Sequence, residues 1–160
     1  MLPGGGSWFR QASRIRIWLR VPPSDPPVSE KTERDPLSRM RAYQLACELV
    51  ADSWTDAERL RHHPVTEMIA GQLYSAVGSI AANIGEGYSR SSGRDRARIF
   101  EYALGSARES VTWYRSAEPV LGAEIVSGRL NTLEEIRRML LAIIPRERDR
   151  LIRPTEHRRD

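Results

Sequence analysis

The segment SRSSGRDRAR, residues 89–98, contains the side chains best suited to bind an anion. Four arginines fall within nine residues, at Arg90, Arg94, Arg96 and Arg98. Guanidinium groups are permanently charged and match the geometry of phosphate oxygens. Arg94 and Arg98 share one face near the start of a predicted helix, where the dipole disfavours cations and a bound anion would compensate. The pattern favours nucleic-acid phosphates, with Tyr88 stacking on a base; the alternative is a solvated helix start neutralised by Asp95 and Glu101.

A second group of polar residues lies on segments otherwise rich in small side chains. Asn83 and Glu86 are three residues apart and share a helix face, and Glu109 lies in the stretch ALGSARES together with Ser106. A pair of carboxylates could perform acid–base or metal chemistry, but bundles that bind two metal ions use Glu-x-x-His pairs, and the sequence has none. The pattern favours a hydrogen-bonded polar layer that fixes the helix register, formed by Asn83, Glu86, Ser106 and Glu109.

The remaining residue types argue against metal, cofactor and nucleophilic chemistry. His62 and His63 are adjacent in a predicted turn, and no cysteine or further histidine lies at ligand spacing for zinc. Cys47 is the only cysteine, so no intramolecular disulfide can form. It falls on a predicted apolar stripe, which favours core packing over a nucleophile. We therefore predict no catalytic residue, no metal site, no cofactor and no enzymatic activity.

The stretch SIAANIGEGYSRSS, residues 79–92, has the glycines of a phosphate-binding loop but not its other features. A Walker motif needs Lys and then Ser or Thr after its last glycine, whereas Tyr88 follows Gly87. Anion-binding loops also precede a helix, and here the glycine follows one. Gly87 is therefore predicted to end that helix in a left-handed conformation. The small residues from Ser75 to Gly85 cover more than one helix face, which suggests a contact across a subunit boundary.

Four segments have the apolar spacing of amphipathic helices. The first has its stripe at Leu37, Met40, Tyr43 or Gln44, Cys47, Val50 and Trp54. The second opens at Thr66, after Pro64, and has its stripe at Ile69, Leu73, Ala76 or Val77, Ile80, Ala81 and Ile84. The third ends or kinks near Pro119 and Gly122. The fourth begins either at the capping box TLEE, residues 132–135, or earlier, near Ala123, and Pro145 should end or bend it. With short connections and no convincing strand, the sequence predicts an all-α, antiparallel, up-down-up-down four-helix bundle.

The chain is predicted to contain one domain with two polar ends. Residues 1–36 are rich in Pro and Gly and predict a disordered N-terminal extension, residues 37–151 form the bundle, and residues 152–160 form a charged tail. The sequence leaves two alternatives for the extension: either translation starts at Met40 instead, or FRQASRIRIWLR forms a short basic amphipathic element. Of the net charge of +4, residues 1–34 carry +3, so the bundle is almost neutral.

No run of about 20 apolar residues predicts a membrane span, and we expect a cytoplasmic protein.

The second and third predicted helices resemble a known bacterial family. The stretch QLYSAVGSIAANIGEGYSRSS, followed by FEYALGSARES, is similar to the small four-helix bundle proteins first noticed in intervening sequences of 23S ribosomal RNA genes. The resemblance covers about Leu37 to Arg150. The positions that carry it are Gln72, Leu73, Ala76, Ser79, Ile80, Asn83, Ile84, Glu86, Gly87, Arg90, Ala103, Gly105, Ser106 and Glu109.

The resemblance implies an antiparallel bundle that assembles as a ring-like homo-oligomer, a pentamer. A related branch contains the accessory proteins of diversity-generating retroelements, which bind nucleic acid and a reverse transcriptase. Two arginines usual in the family are Tyr74 and Ser75 here, which weakens the nucleic-acid interpretation. Our leading hypothesis is a non-catalytic homo-oligomer that binds structured RNA or DNA through the arginine-rich turn. The alternative is a structural oligomer or protein-docking adaptor that binds no nucleic acid.

Overall fold

The computed structural model describes residues 35–150, and these residues form four α-helices. A short 3-10 turn, Pro36–Arg39, precedes them. The helices are α1 (Arg41–Arg61), α2 (Glu67–Tyr88), α3 (Gly93–Leu121) and α4 (Ala123–Arg148). Each helix packs most closely on the one that follows it in the chain, and the short connections make neighbours antiparallel. The predicted all-α four-helix bundle is confirmed. The predicted extension and tail lie outside the described residues, except for Asp35 and Pro36.

The core is aliphatic, with two large aromatic side chains inside it. Most of the α2 stripe predicted from the sequence is buried: Leu73, Val77, Ile80 and Ile84 are fully inaccessible to solvent, and Ile69 and Ala81 are partly buried against the core. Phe100 and Tyr114 are the largest fully buried side chains. Full burial of one large aliphatic side chain contributes about 1.5–3 kcal/mol. The apolar period of α2 therefore accounts for its central place in the bundle.

The buried face of α1 is offset from the predicted stripe, of which Leu37, Met40, Tyr43 and Val50 are partly buried against the core. The buried positions include Ala42, Leu45, Ala46, Leu49 and Leu60, whereas Cys47 and Trp54 are exposed. The predicted stripe is offset because two core positions of α1 carry polar residues, Ser53 and Asp56. The two polar residues interrupt the apolar period of the buried face. Aromatic and aliphatic residues on the adjacent face have a similar spacing, and the sequence therefore predicted that face instead. Cys47 is therefore not a core residue.

Glycine and proline act differently at the two ends of α4. Gly122 has φ 89° and separates α3 from α4, which confirms the earlier of the two predicted starts. The capping box does not form, because the Thr132 hydroxyl donates to the carbonyl oxygen of Gly128 within the helix, at 3.3 Å. Pro145 does not end α4, which continues to Arg148. The hydrogen bond that Pro145 cannot donate would go to the carbonyl of Leu141, which lies at an exposed position.

Gly87 does not end α2, and that prediction is wrong. It lies inside the helix, which continues through Tyr88, and Gly122 is the only glycine with a positive φ among the described residues. A Cβ atom at position 87 would lie 2.7 Å from the ring of Phe100. Position 87 is therefore glycine because α2 and α3 approach each other there.

Candidate nucleic-acid interface

The arginine-rich turn joins α2 to α3 and lies against the end of α4. The Ser92 side chain caps α3 by accepting a hydrogen bond from the backbone N–H of Asp95 at 3.3 Å. Gly93 is buried next to α4. The two backbones are so close there that a Cβ atom at position 93 would collide with the carbonyl oxygen of Glu147. These two residues fix where α3 begins, and so they fix the direction in which the arginines of its first turns point.

Three of the predicted arginines, Arg90, Arg94 and Arg98, are exposed. Arg90 pairs with Glu86 one turn earlier, and Arg98 lies 3.9 Å from Asp95. Arg94 has no salt bridge to any described residue, and it borders an open depression together with Arg98 and other charged residues. Since its guanidinium lies near the positive end of α3, a bound anion would relieve repulsion there.

Arg96 and Tyr88 lie on the inner side of the turn. The Arg96 side chain is only 18% exposed and donates to the Glu147 carboxylate at 3.3 Å and to the Arg90 carbonyl at 2.8 Å. Its guanidinium carbon lies 5.9 Å from the centroid of the Tyr88 ring, a cation–π arrangement. Arg96 thus ties the turn to α4, and its contact with Tyr88 occupies part of the ring that was predicted to stack on a base.

Carboxylates surround the arginines of this region. Glu147 accepts from Arg96 and also lies 3.6 Å from Arg150, and Arg148 pairs with Glu101. The local excess of positive charge is therefore small. It is concentrated at Arg94, the arginine of the turn without a recorded carboxylate partner among residues 35–150.

The predicted polar layer does not form within the chain. The Glu86 side chain is 49% exposed and pairs with Arg90 on its own segment. Glu109 is exposed and accepts a hydrogen bond from the Trp113 indole one turn later, at 3.1 Å. Ser106 contributes only its carbonyl, to the Ser110 hydroxyl. None of the hydrogen bonds recorded for the described residues joins two of the four predicted members: Glu86 and Glu109 are exposed and pair locally, whereas Asn83 and Ser106 are half-buried.

The family assignment follows from a sequence match over most of the bundle. The model of the 23S rRNA-intervening sequence protein family matches residues 38–142. The chain belongs to this family. The positions that carried the resemblance, from Gln72 to Glu109, lie within the matched region.

The fold is also found among solved structures. One of them is a protein of unknown function from the S23 ribosomal protein family of Bacteroides thetaiotaomicron, with a TM-score of 0.60 and 22% sequence identity. The alignment covers 64% of this chain and 97% of that one. At this identity the likeness concerns the fold alone. A search of curated proteins found no match.

The best-connected buried polar group in this family member was not predicted from the sequence. Asp56 of α1 is 2% exposed and accepts hydrogen bonds from the Tyr114 hydroxyl of α3, at 3.1 Å, and from Arg129 of α4, at 2.9 Å. Arg129 also pairs with Asp52. Burial and the negative charge of Asp56 raise the pKa of Tyr114. Every member has a partner, so the cluster connects three helices and leaves no group directed at a ligand.

The pKa of Arg129 is set by two opposing effects. Burial alone would lower it, but the hydrogen bond to Asp56 and the charges of Asp56 and Asp52 outweigh burial and raise it. The guanidinium therefore stays charged, as the two carboxylates require. The only sequence signal for this cluster was the interruption of the α1 apolar period at Asp56.

Two further findings concern metal binding and membrane spanning in the described residues. Within residues 35–150, no three His, Cys, Asp or Glu side chains are grouped so as to hold a metal ion. None of the four helices combines the length and apolar character that a membrane-spanning segment requires.

Proposed function

We propose that this member of the 23S rRNA-intervening sequence family is a non-catalytic homo-oligomer that binds structured RNA or another nucleic acid through Arg90, Arg94 and Arg98. The observation that carries the proposal is the exposed arginine group at the start of α3, in which Arg94 has no recorded carboxylate partner. Guanidinium groups at a positive helix end favour phosphate oxygens. Arg96 and Tyr88 shape the turn from inside and are not the main contacts.

A modest charge on each copy suits an oligomer better than a monomer. About three phosphate contacts per chain give only weak, salt-sensitive binding, since each contact releases roughly one counterion. Several copies that bind one nucleic acid together raise the overall affinity without any new contact. The nucleic-acid part of the proposal therefore depends on the homo-oligomeric part.

A triple substitution of Arg90, Arg94 and Arg98 by Glu tests the interface. We expect the binding of a fluorescently labelled RNA stem-loop, measured by anisotropy, to be abolished while helical circular dichroism is unchanged. The matched control replaces Arg108, Arg115 and Arg138, three exposed arginines without a recorded salt bridge in residues 35–150, with Glu. It produces the same change in net charge elsewhere on the bundle, and we expect it to retain most of the affinity.

The same experiment separates the two candidate functions. Equal losses in the triple variant and the control would show that only net charge matters and would overturn the assignment to the turn. If the wild-type protein binds neither the RNA stem-loop nor duplex DNA at about 0.15 M salt, a structural oligomer or protein adaptor is the better interpretation. The carboxylates beside most of the arginines are the observation that favours this second function.

A further inference from the structure

Helix α2 has an exposed surface without charged residues. From Met68 to Gly85, eighteen consecutive residues include no Asp, Glu, Lys, Arg or His, whereas charge-free runs in the other three helices are at most seven residues long. Much of this stretch is accessible in the single chain: Met68 is 86% exposed, and Ser75 and Ala82 are exposed. A surface helix normally carries charge on its outer face, and depletion of charge is typical of the core of a protein–protein interface.

Two glycines on this side of α2 have no role in packing the chain. A Cβ atom at Gly71 or Gly78 would meet nothing within 4 Å, in contrast to Gly87 and Gly93, where it would collide with a neighbour. Glycine in a helix interior costs about 1 kcal/mol relative to alanine. Because Gly71 and Gly78 are seven residues apart, they lie on the same face, where they would let another helix approach closely.

Large apolar side chains project beside the two glycines. The rings of Trp54 and Tyr74 meet edge to face with centroids 5.7 Å apart, and they are 56% and 37% exposed. Together with Gly71 they line a shallow cavity of about 180 Å³ between α1 and α2, and Glu58 and Arg61 line it on the α1 side. We define the α2 face as Trp54, Met68, Gly71, Tyr74, Ser75, Gly78 and Ala82.

We propose that the α2 face packs against a helix of a second copy of this chain. The α2 face itself carries no cation, and the Arg61 that lines the adjoining cavity is accompanied there by Glu58, which argues against a nucleic acid at this surface. An occupant of the α2 face must itself be uncharged, or it would bury unpaired charges. A second copy meets this requirement, because its own α2 face is equally uncharged. The α2 face also contains both projecting apolar side chains and two glycines, and the side chains of one copy can pack over the glycines of the other. The inference rests on the homo-oligomeric part of the proposed function and identifies its contact surface.

A charge placed on the α2 face tests this contact. Ser75→Arg puts a good helix former at an exposed position, so the helix should form, but the new charge would be buried without a partner in the assembly. We expect it to weaken self-association at least about tenfold, measured by sedimentation velocity. Ser127→Arg, the same change at an exposed serine of α4, is the matched control and should retain the wild-type mass.

The double substitution Gly71→Ala and Gly78→Ala gives a second test, in which helix stability and self-association should change in opposite directions. In an isolated chain the two alanines should increase helix stability, since nothing blocks the added methyl groups. Across a close helix–helix contact they should separate the backbones. We therefore expect lower association with undiminished helicity. Gly128→Ala, also at an open helix position, should leave the association unchanged.

The outcomes separate this inference from the proposed function. A wild-type protein that is monomeric at all accessible concentrations overturns both the contact and the proposed homo-oligomer. An oligomeric wild type whose mass is unchanged by Ser75→Arg and by the double glycine variant overturns the α2 face alone. Loss of association in both variants, with normal helicity and unaffected controls, supports the contact.

Discussion

The Tyr114 hydroxyl shows how the buried polar cluster makes stability depend on pH. It donates to Asp56 from a fully buried position, and burial together with the Asp56 charge raises the pKa of Tyr114. An unfolded tyrosine loses its proton near pH 10. Since the folded chain holds this proton more tightly, the stabilisation is fully present below about pH 10 and is lost as pH rises toward the folded-state pKa.

We therefore predict that Tyr114→Phe flattens the alkaline loss of stability. The free energy of unfolding of the wild type should fall by about 1 kcal/mol more per pH unit above pH 10 than that of the variant. Near pH 7 the variant should be less stable by about 0.5–1.5 kcal/mol, because one hydrogen bond to Asp56 is missing. Urea unfolding at several pH values measures both quantities.

The comparison with the variant removes the contributions of other tyrosines. Burial and the neighbouring Cys47 also raise the pKa of Tyr43, so the wild type alone would not isolate Tyr114. Tyr43 is present in both proteins and cancels in the difference. Parallel stability curves for the two proteins between pH 9 and 11 would contradict the assignment of the alkaline effect to Tyr114.

At the scale of the element, the glycines of α2 have opposite environments on opposite sides of one helix. Gly87 faces Phe100 of α3, and a Cβ atom there would lie 2.7 Å from the aromatic ring. Gly71 and Gly78 face open space. The same substitution should therefore change stability in opposite directions, depending on the neighbour and not on helix propensity alone.

We predict that Gly87→Ala destabilises the bundle by about 1–3 kcal/mol, because the buried Phe100 ring must move or α2 and α3 must separate. Thermal unfolding followed by circular dichroism gives the change. Gly128→Ala, in the open part of α4, is the matched control and should be neutral or stabilising by up to about 1 kcal/mol. A stabilising effect of Gly87→Ala would show that α2 and α3 do not approach closely at this position.

At the scale of the whole molecule, the two proposals concern separate surfaces with different chemistry. The arginine turn lies at the end of the bundle where α2, α3 and α4 meet, whereas the α2 face is uncharged and extends along the bundle. Assembly through the α2 face would leave the exposed arginines accessible and repeat them in each copy. Nucleic-acid affinity should then depend on assembly even though the two surfaces share no residue.

We predict that the double variant Gly71→Ala and Gly78→Ala binds the RNA stem-loop at least about tenfold more weakly than the wild type, because separate copies lose multivalent binding. The two substitutions leave the charge unchanged, so a purely electrostatic explanation is excluded. Anisotropy titrations at about 0.15 M salt, carried out together with sedimentation, measure affinity and mass on the same samples. Loss of assembly with full RNA affinity would show that a single copy is sufficient.

The sequence by itself determined the number of helices, the places of the connections near Pro64 and Gly122, and the all-α class. These features depend on apolar spacing and on turn residues such as Pro64 and Gly122, whose effects act over a few neighbouring residues. The buried face of α2 was predictable for the same reason, since Leu73, Val77, Ile80 and Ile84 follow the helical period without interruption.

The tertiary structure decided which residues meet across the bundle. Asp56 lies 58 residues from Tyr114 and 73 from Arg129 in sequence, and no local pattern predicts that the three come together. The inward position of Arg96 also depends on a residue of another helix, Glu147, 51 positions later in the chain. Such contacts are set by helix packing, which the spacing within one helix does not specify. The arginine-rich turn was therefore recognisable from the sequence, but only the packing of α4 against it distinguished the exposed arginines from the structural one.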